Sequence, residues 1–184
     1  MLMNSRLVKI FDLVGQQFEG FSMTTFLFVI AIGVSVVYGG MLLYEKRRRS
    51  KIDKKKKRAY LGLVIYISFV LQITCYRREP GSRYGIVTSL QDMPLLLRDT
   101  EQMIYQLLNV VLFIPFGIIL AVILGEICGW KRMAVIIGGS YIFSLWIELT
   151  QLFSQRGYFE VTDLLMNVLG GILGGVIGNS LRKD

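Results

Sequence analysis

The stretch MAVIIGGSYIFSLWIELTQLFSQRGYFEVTDLLMNVLGGILGGVIGNSL, residues 133–181, decides the fold. It holds two apolar segments, 133–153 and 163–181, joined by a short loop. Each segment is close to the roughly 20 residues that cross the hydrocarbon core of a bilayer. Charged and amide side chains occur in both segments close to the joining loop. Because such side chains face the interior of a helix bundle, the stretch predicts two antiparallel membrane helices with a polar cluster near their shared end.

Three further apolar segments precede this stretch, at residues 21–44, 59–76 and 103–125. With 53% hydrophobic residues in a chain of 184, the sequence is too apolar for a soluble domain and too short for more than about one domain. Residues 1–20 combine apolar and charged residues at helical spacing, which predicts an amphipathic helix along the membrane surface, with a frayed terminus as the alternative. The predicted fold class is therefore all-α: one polytopic membrane domain, residues 1–184, with five transmembrane helices and an amphipathic amino-terminal helix.

Positive charge sets the predicted orientation. The net charge is +8, and ten of the 21 Lys and Arg residues lie between Lys46 and Arg58, directly after the first apolar segment. Basic residues beside membrane helices mark the cytoplasmic side, and further basic pairs occur at Lys131 and Arg132 and at the carboxyl end. The amino terminus is predicted outside and the carboxyl terminus in the cytoplasm. Membrane lipids are the expected partners of the basic block, and no nucleic acid is expected because the remaining basic residues are scattered.

Metal and cofactor sites are not indicated. The sequence contains no histidine, the commonest metal ligand and general base. Its two cysteines, Cys75 and Cys128, fall near opposite faces of the predicted membrane domain, so a disulfide between them is not expected. We therefore predict no metal and no cofactor.

Other sequence features predict loop and packing structure. Residues 77–102 form a long outer loop, and loops of this length are more often functional than idle; the loop either rests on the outer surface or dips into the membrane. Pro115 is expected to kink the third span. In the fifth span the glycines form two stripes at i, i+4 spacing, which predicts close approach of neighbouring helices: Gly170, Gly174 and Gly178, and Gly171 with Gly175.

Polar residues at one membrane depth are the main functional signal. Helical rise places Asn109, Glu148 and Asn167 roughly 6 to 9 Å below the outer boundary. Gln151 shares a helix face with Glu148, and Asp163 shares one with Asn167. We expect an outer-leaflet cluster whose six candidate ligand-binding residues are Asn109, Glu148, Gln151, Arg156, Asp163 and Asn167.

The charged members of this cluster favour a functional role. Arg156 is expected between Glu148 and Asp163, and three formal charges at one depth are a costly way to hold helices together. For Asn109 or Ser144 taken alone, interhelical hydrogen bonding is the favoured interpretation. No catalytic residue is evident, although Glu148 and Asp163 are candidates.

Three linked motifs carry a resemblance to a known family. NVVLFIPFG (109–117), SLWIELTQ (144–151) and RGYFEVTDLLMNVLG (156–170) resemble, in order and spacing, the VanZ-like family of bacterial membrane proteins. The resemblance covers residues 103–178. It departs from the family pattern at Glu160 and Thr162, where aspartates are expected. The resemblance implies a multi-pass protein of the bacterial cytoplasmic membrane, linked to low-level resistance to the lipoglycopeptide teicoplanin or to other cell-envelope functions.

Three hypotheses of function remain open from the sequence. In the first, the polar cluster binds a lipid-linked cell-wall precursor, a lipoglycopeptide or another amphipathic ligand without catalysis. In the second, an intramembrane enzyme acts on a lipid- or prenyl-linked phosphate, with Glu148 and Asp163 as acid and base. In the third, the chain is a small transporter subunit, for which a homo-oligomer would supply further helices.

Overall fold

The computed structural model describes residue 8 and residues 11–16, 18–76, 78–81, 83–87 and 100–181. Within these residues, five helices are long and apolar enough to cross a membrane. The predicted all-α membrane bundle is therefore confirmed. Residues 11–16 form a short helix, α1, which packs Leu13 into the bundle. Most of the rest of the predicted amphipathic segment lies outside the described residues.

The long helices follow the apolar segments, with small shifts at their ends. Ser22 caps the first of them by accepting a hydrogen bond from the Thr25 N–H, and the Asp53 carboxylate accepts from Lys55 and Lys56 N–H at the start of the second. Side-chain acceptors at these positions satisfy backbone donors that have no partner inside the helix. The five helices are α2 (Met23–Arg48), α3 (Lys54–Leu71), α4 (Thr100–Ile123), α5 (Gly129–Phe153) and α6 (Val161–Ser180).

The second span ends in a helical segment with a wider turn. Helix α3 continues as a π-helical segment over Gln72–Tyr76, which the sequence analysis did not predict. π-Helical turns are rare and frequently occur at functional sites. Here the Thr74 carbonyl accepts a hydrogen bond from Gln151 of α5, and the Cys75 carbonyl accepts one from Arg156, just beyond α5.

A pair of short parallel strands joins the two predicted outer loops. Strand β1 (Arg83–Val87) pairs with β2 (Arg156–Glu160), with Arg83 opposite Arg156 and Val87 opposite Glu160. Parallel strands require a long crossover connection, and α4 with α5 lies between these two strands in the chain. The sequence predicted only irregular loops here, and the part of the outer loop from 88 to 99 lies outside the described residues.

Ion pairs between helix ends show which ends lie on the same side. Lys56 Nζ is 2.6 Å from Glu126 Oε1, and Lys57 Nζ is 2.9 Å from Glu45 Oε1, so the basic block lies beside the turn between α4 and α5. The β1–β2 pair lies at the opposite ends of the helices. Cys75 is buried, Cys128 is exposed and both are free thiols.

The two glycine stripes of α6 face two different helices. A Cβ at Gly170 or Gly174 would overlap the backbone carbonyl of Val110 or Ile114 on α4, and a Cβ at Gly171 would overlap Ser140 on α5. The predicted close packing is confirmed. Helix α4 remains helical through Pro115.

An apolar core joins α3, α4 and α5. The rings of Phe113, Phe116 and Phe143 lie with centroids 5.0 to 5.7 Å apart, and Ile147 packs in the same cluster. Ile147 also borders the polar site, so the core holds one wall of that site in place.

Candidate functional site

A partly enclosed cavity of about 210 Å³ lies among α1, the π segment, α4, α5 and α6. Its walls are apolar on one side, including Phe18, Phe69 and Leu112. On the other side they are polar and contain five of the six predicted residues: Asn109, Glu148, Gln151, Asp163 and Asn167. The tertiary structure thus brings residues from three separate helices to one cavity.

Glu148 forms the centre of the polar wall. Its side chain is only 2% exposed, and its Oε2 accepts a hydrogen bond of 2.9 Å from the backbone N–H of Glu160. Glu160 is the residue immediately before α6. The carboxylate of α5 therefore fixes the position at which α6 begins.

Two amide side chains complete the polar wall. Gln151 Nε2 donates to the Thr74 carbonyl at 3.0 Å, which links α5 to the π segment. Asn167 Nδ2 donates to Ser144 Oγ at 2.9 Å. The Oδ1 of Asn167 is buried without a hydrogen-bond partner, although Asn167 lines the cavity. An acceptor of the site is therefore left unsatisfied by the described residues.

Asp163 lies in the first turn of α6. There the helix dipole and the free backbone N–H groups favour a negative charge. It lines the cavity together with Asn109 on α4. The expected shared faces of Glu148 with Gln151, and of Asp163 with Asn167, are both found in the cavity.

Arg156 does not lie between the two carboxylates, so that part of the predicted cluster is wrong. Its Nη1 donates to the Cys75 carbonyl at 3.4 Å, and its guanidinium carbon lies 5.8 Å from the centroid of the Tyr76 ring. The reason is the strand β2: successive residues in a strand point to opposite faces. Gly157 is the residue buried against Gln151, and Arg156 is directed to the π segment instead.

Arg78 is the cation that the sequence analysis missed. It lines the cavity, interacts electrostatically with both Glu148 and Asp163, and donates from Nη1 to the Arg156 carbonyl at 3.2 Å. A side chain at Gly157 would crowd it, since a Cβ there would lie 2.7 Å from its Nη1. One feature of the sequence could have indicated Arg78: it lies just after the second span, at the predicted outer boundary where the other site residues also lie.

The two carboxylates share the cavity with the cationic side chain of Arg78. Within the described residues, Arg78 acts electrostatically on both Glu148 and Asp163. In the same part of the chain, no group of three or more His, Cys, Asp and Glu side chains is placed to hold a metal ion. The arrangement therefore presents carboxyl and amide oxygens, together with a guanidinium group, to whatever enters the cavity.

Comparison with known proteins identifies the family. Residues 58–182 match the family model described as VanZ/LLP1. The chain belongs to the VanZ/LLP1 family. The matched region contains all six predicted site residues and also most of α3, which lies upstream of the quoted motifs. No curated protein and no solved structure matches the chain.

Proposed function

We propose that this VanZ/LLP1 membrane protein lowers the susceptibility of a bacterium to teicoplanin and related lipoglycopeptides. It does so from the cytoplasmic membrane, where the cavity binds the headgroup of a lipid-linked or otherwise amphipathic ligand. The observation that carries the proposal is the convergence of Asn109, Glu148, Gln151, Asp163 and Asn167 on one cavity. Family membership supplies the biological setting.

The size of the cavity narrows the kind of ligand. At about 210 Å³ it is smaller than the ~300–1,000 Å³ of pockets that enclose drug-sized molecules. A whole lipoglycopeptide is therefore too large, whereas a lipid headgroup or a single substituent fits. We propose that the protein acts on the access of the antibiotic to the cell surface through such a headgroup.

Antibiotic susceptibility tests this function directly. The wild-type protein, E148Q and E79Q are expressed in a teicoplanin-susceptible strain, and the inhibitory concentration is compared with that of cells carrying an empty vector. Wild type and E79Q are expected to raise it, because Glu79 is exposed and does not line the cavity. E148Q is expected to return it to the empty-vector value. Equal protection by wild type and E148Q would contradict a role for this site.

An intramembrane enzyme is the second candidate, and one observation favours it. Arg78 lines the same cavity as Glu148 and Asp163. A cation for a phosphate oxygen beside two carboxylates for proton transfer is a set of groups that suits phosphate chemistry. Incubation of the purified protein with labelled lipid- or prenyl-linked phosphates is expected to release product only if this candidate is right, and the release should be lost in D163N.

A transporter subunit, the third alternative from the sequence, stays a prediction, as does a homo-oligomer. Transporter folds built from internal repeats place their sites at the interface between the repeats. The cavity described here instead lies among α1, the π segment and three successive helices of the family region. Binding of a headgroup therefore accounts for more of the geometry.

A further inference from the structure

We propose that the cavity recognises the primary ammonium group of a membrane amphiphile, held by Glu148, Asp163 and Asn167. This names the ligand class of the proposed functional site and rests on that proposal for its location. The ammonium lies against the polar wall, and the hydrocarbon part of the ligand leaves along the apolar wall toward the membrane.

The polar wall contains a buried acceptor that lacks a donor, next to two carboxyl groups. Glu148 accepts from the Glu160 N–H through Oε2, and Asp163 lines the cavity with it. Asn167, at 4% exposure, has an Oδ1 with no partner. A buried polar group without a hydrogen bond is energetically unfavourable. A ligand that supplies donors to these oxygens is therefore bound favourably.

A primary ammonium matches this wall in both charge and donor number. It carries one positive charge and three N–H donors, and Glu148 and Asp163 place two carboxyl groups beside the Asn167 amide on one wall of the cavity. A quaternary ammonium carries the charge without the donors, and an amide carries donors without the charge. Neither group therefore offers the polar wall both a positive charge and hydrogen-bond donors.

The remaining walls indicate that the ammonium is carried by a lipid. Phe18 and Val111 line the cavity and are 50% and 60% exposed on the bundle surface, so the apolar side is continuous with the face that meets hydrocarbon. Arg78 also lines the cavity. In an ethanolamine headgroup the ammonium is carried next to a phosphate. The ammonium would then face the carboxyl groups of Glu148 and Asp163, and the phosphate would face the guanidinium of Arg78.

Native mass spectrometry of the purified wild-type protein tests the inference without any substitution. The protein is titrated with phosphatidylethanolamine, its N-acetylated derivative and phosphatidylcholine of the same chain length. Phosphatidylethanolamine is expected to bind at least about tenfold more tightly than the other two, the factor for one charge-assisted hydrogen bond. Equal retention of the three lipids would overturn the inference. Competition by soluble glycerophosphoethanolamine at equal concentration would overturn the assignment to a lipid.

Variants then locate the selectivity in the cavity. E148Q and D163N are expected to lose the preference for phosphatidylethanolamine, whereas E79Q, with an exposed carboxylate outside the cavity, keeps it. If both cavity variants elute as folded protein and keep the preference, the selectivity does not arise in this cavity. The two proposals fail separately. Teicoplanin protection without headgroup preference refutes the ammonium site alone, and headgroup preference without protection refutes the resistance function alone.

Discussion

At the scale of single residues, the site uses side chains that also hold helices together. Glu148 accepts from the backbone N–H that precedes α6, and Gln151 reaches the π segment. Asn167 donates to Ser144 with one atom of its amide and leaves the other unsatisfied. Helix packing and the proposed ligand binding therefore involve the same amide and carboxyl groups, and experiments must separate the two roles.

The Ser144–Asn167 hydrogen bond gives a prediction about packing alone. A double-mutant cycle with S144A and N167A is expected to give a coupling energy of about 0.6 kcal/mol, the average for interhelical hydrogen bonds in membranes. Unfolding of the purified protein in mixed micelles measures it. S35A serves as the control, since the Ser35 hydroxyl donates to Ala31 within its own helix and should show no coupling to Asn167. A coupling near zero for Ser144 would show that the hydroxyl does not link α5 to α6.

At the scale of elements, the position of α6 depends on glycines, which have no side chains to separate it from its neighbours. One glycine stripe lies against the backbone of α4 and the other against α5, so α6 fits closely between its two neighbours. The strand pair adds a second constraint, because β2 leads directly into α6 and is tied to β1. Asp163 and Asn167 reach the cavity only because both constraints hold.

The glycine stripe gives a prediction about stability. G174A is expected to destabilise the protein by about 1–3 kcal/mol, since overpacking forces the backbone to move and the obstructing atom is the Ile114 carbonyl. G138A is the matched control, because a Cβ at Gly138 meets nothing within 4 Å. There the gain in helix propensity is at most about 1 kcal/mol. Thermal unfolding in detergent measures both, and equal midpoints for the two variants would contradict the close packing of α4 and α6.

At the scale of the whole molecule, the chain has two polar ends with different roles. The end with the basic block joins α2, α3 and the turn after α4 through the Lys57–Glu45 and Lys56–Glu126 ion pairs. Ion pairs near the protein surface contribute little stability, so their value here is to show which helix ends lie together. The other end carries the strand pair next to the cavity. Which end faces the cytoplasm is predicted by the charge distribution.

The two native cysteines test this orientation. Cys128 is exposed in the turn before α5, and Cys75 is buried. A membrane-impermeant maleimide is therefore expected to label Cys128 in inverted membrane vesicles and to leave intact spheroplasts unlabelled. C128S is the control and should show no labelling in either preparation. Labelling of Cys128 in intact spheroplasts would place the basic block outside and reverse the predicted orientation.

The sequence by itself determined the membrane helices and their alternation, and five of its six predicted site residues line the cavity. These follow from hydrophobic length, charge asymmetry and depth along a helix, which are properties of each segment taken alone. Only the tertiary structure decided that Arg78, and not Arg156, faces Glu148 and Asp163. That choice depends on the π segment and on the β1–β2 pairing, which join segments far apart in the chain. Local patterns do not specify such pairings, because strand partners and side-chain direction are set by contacts across the fold.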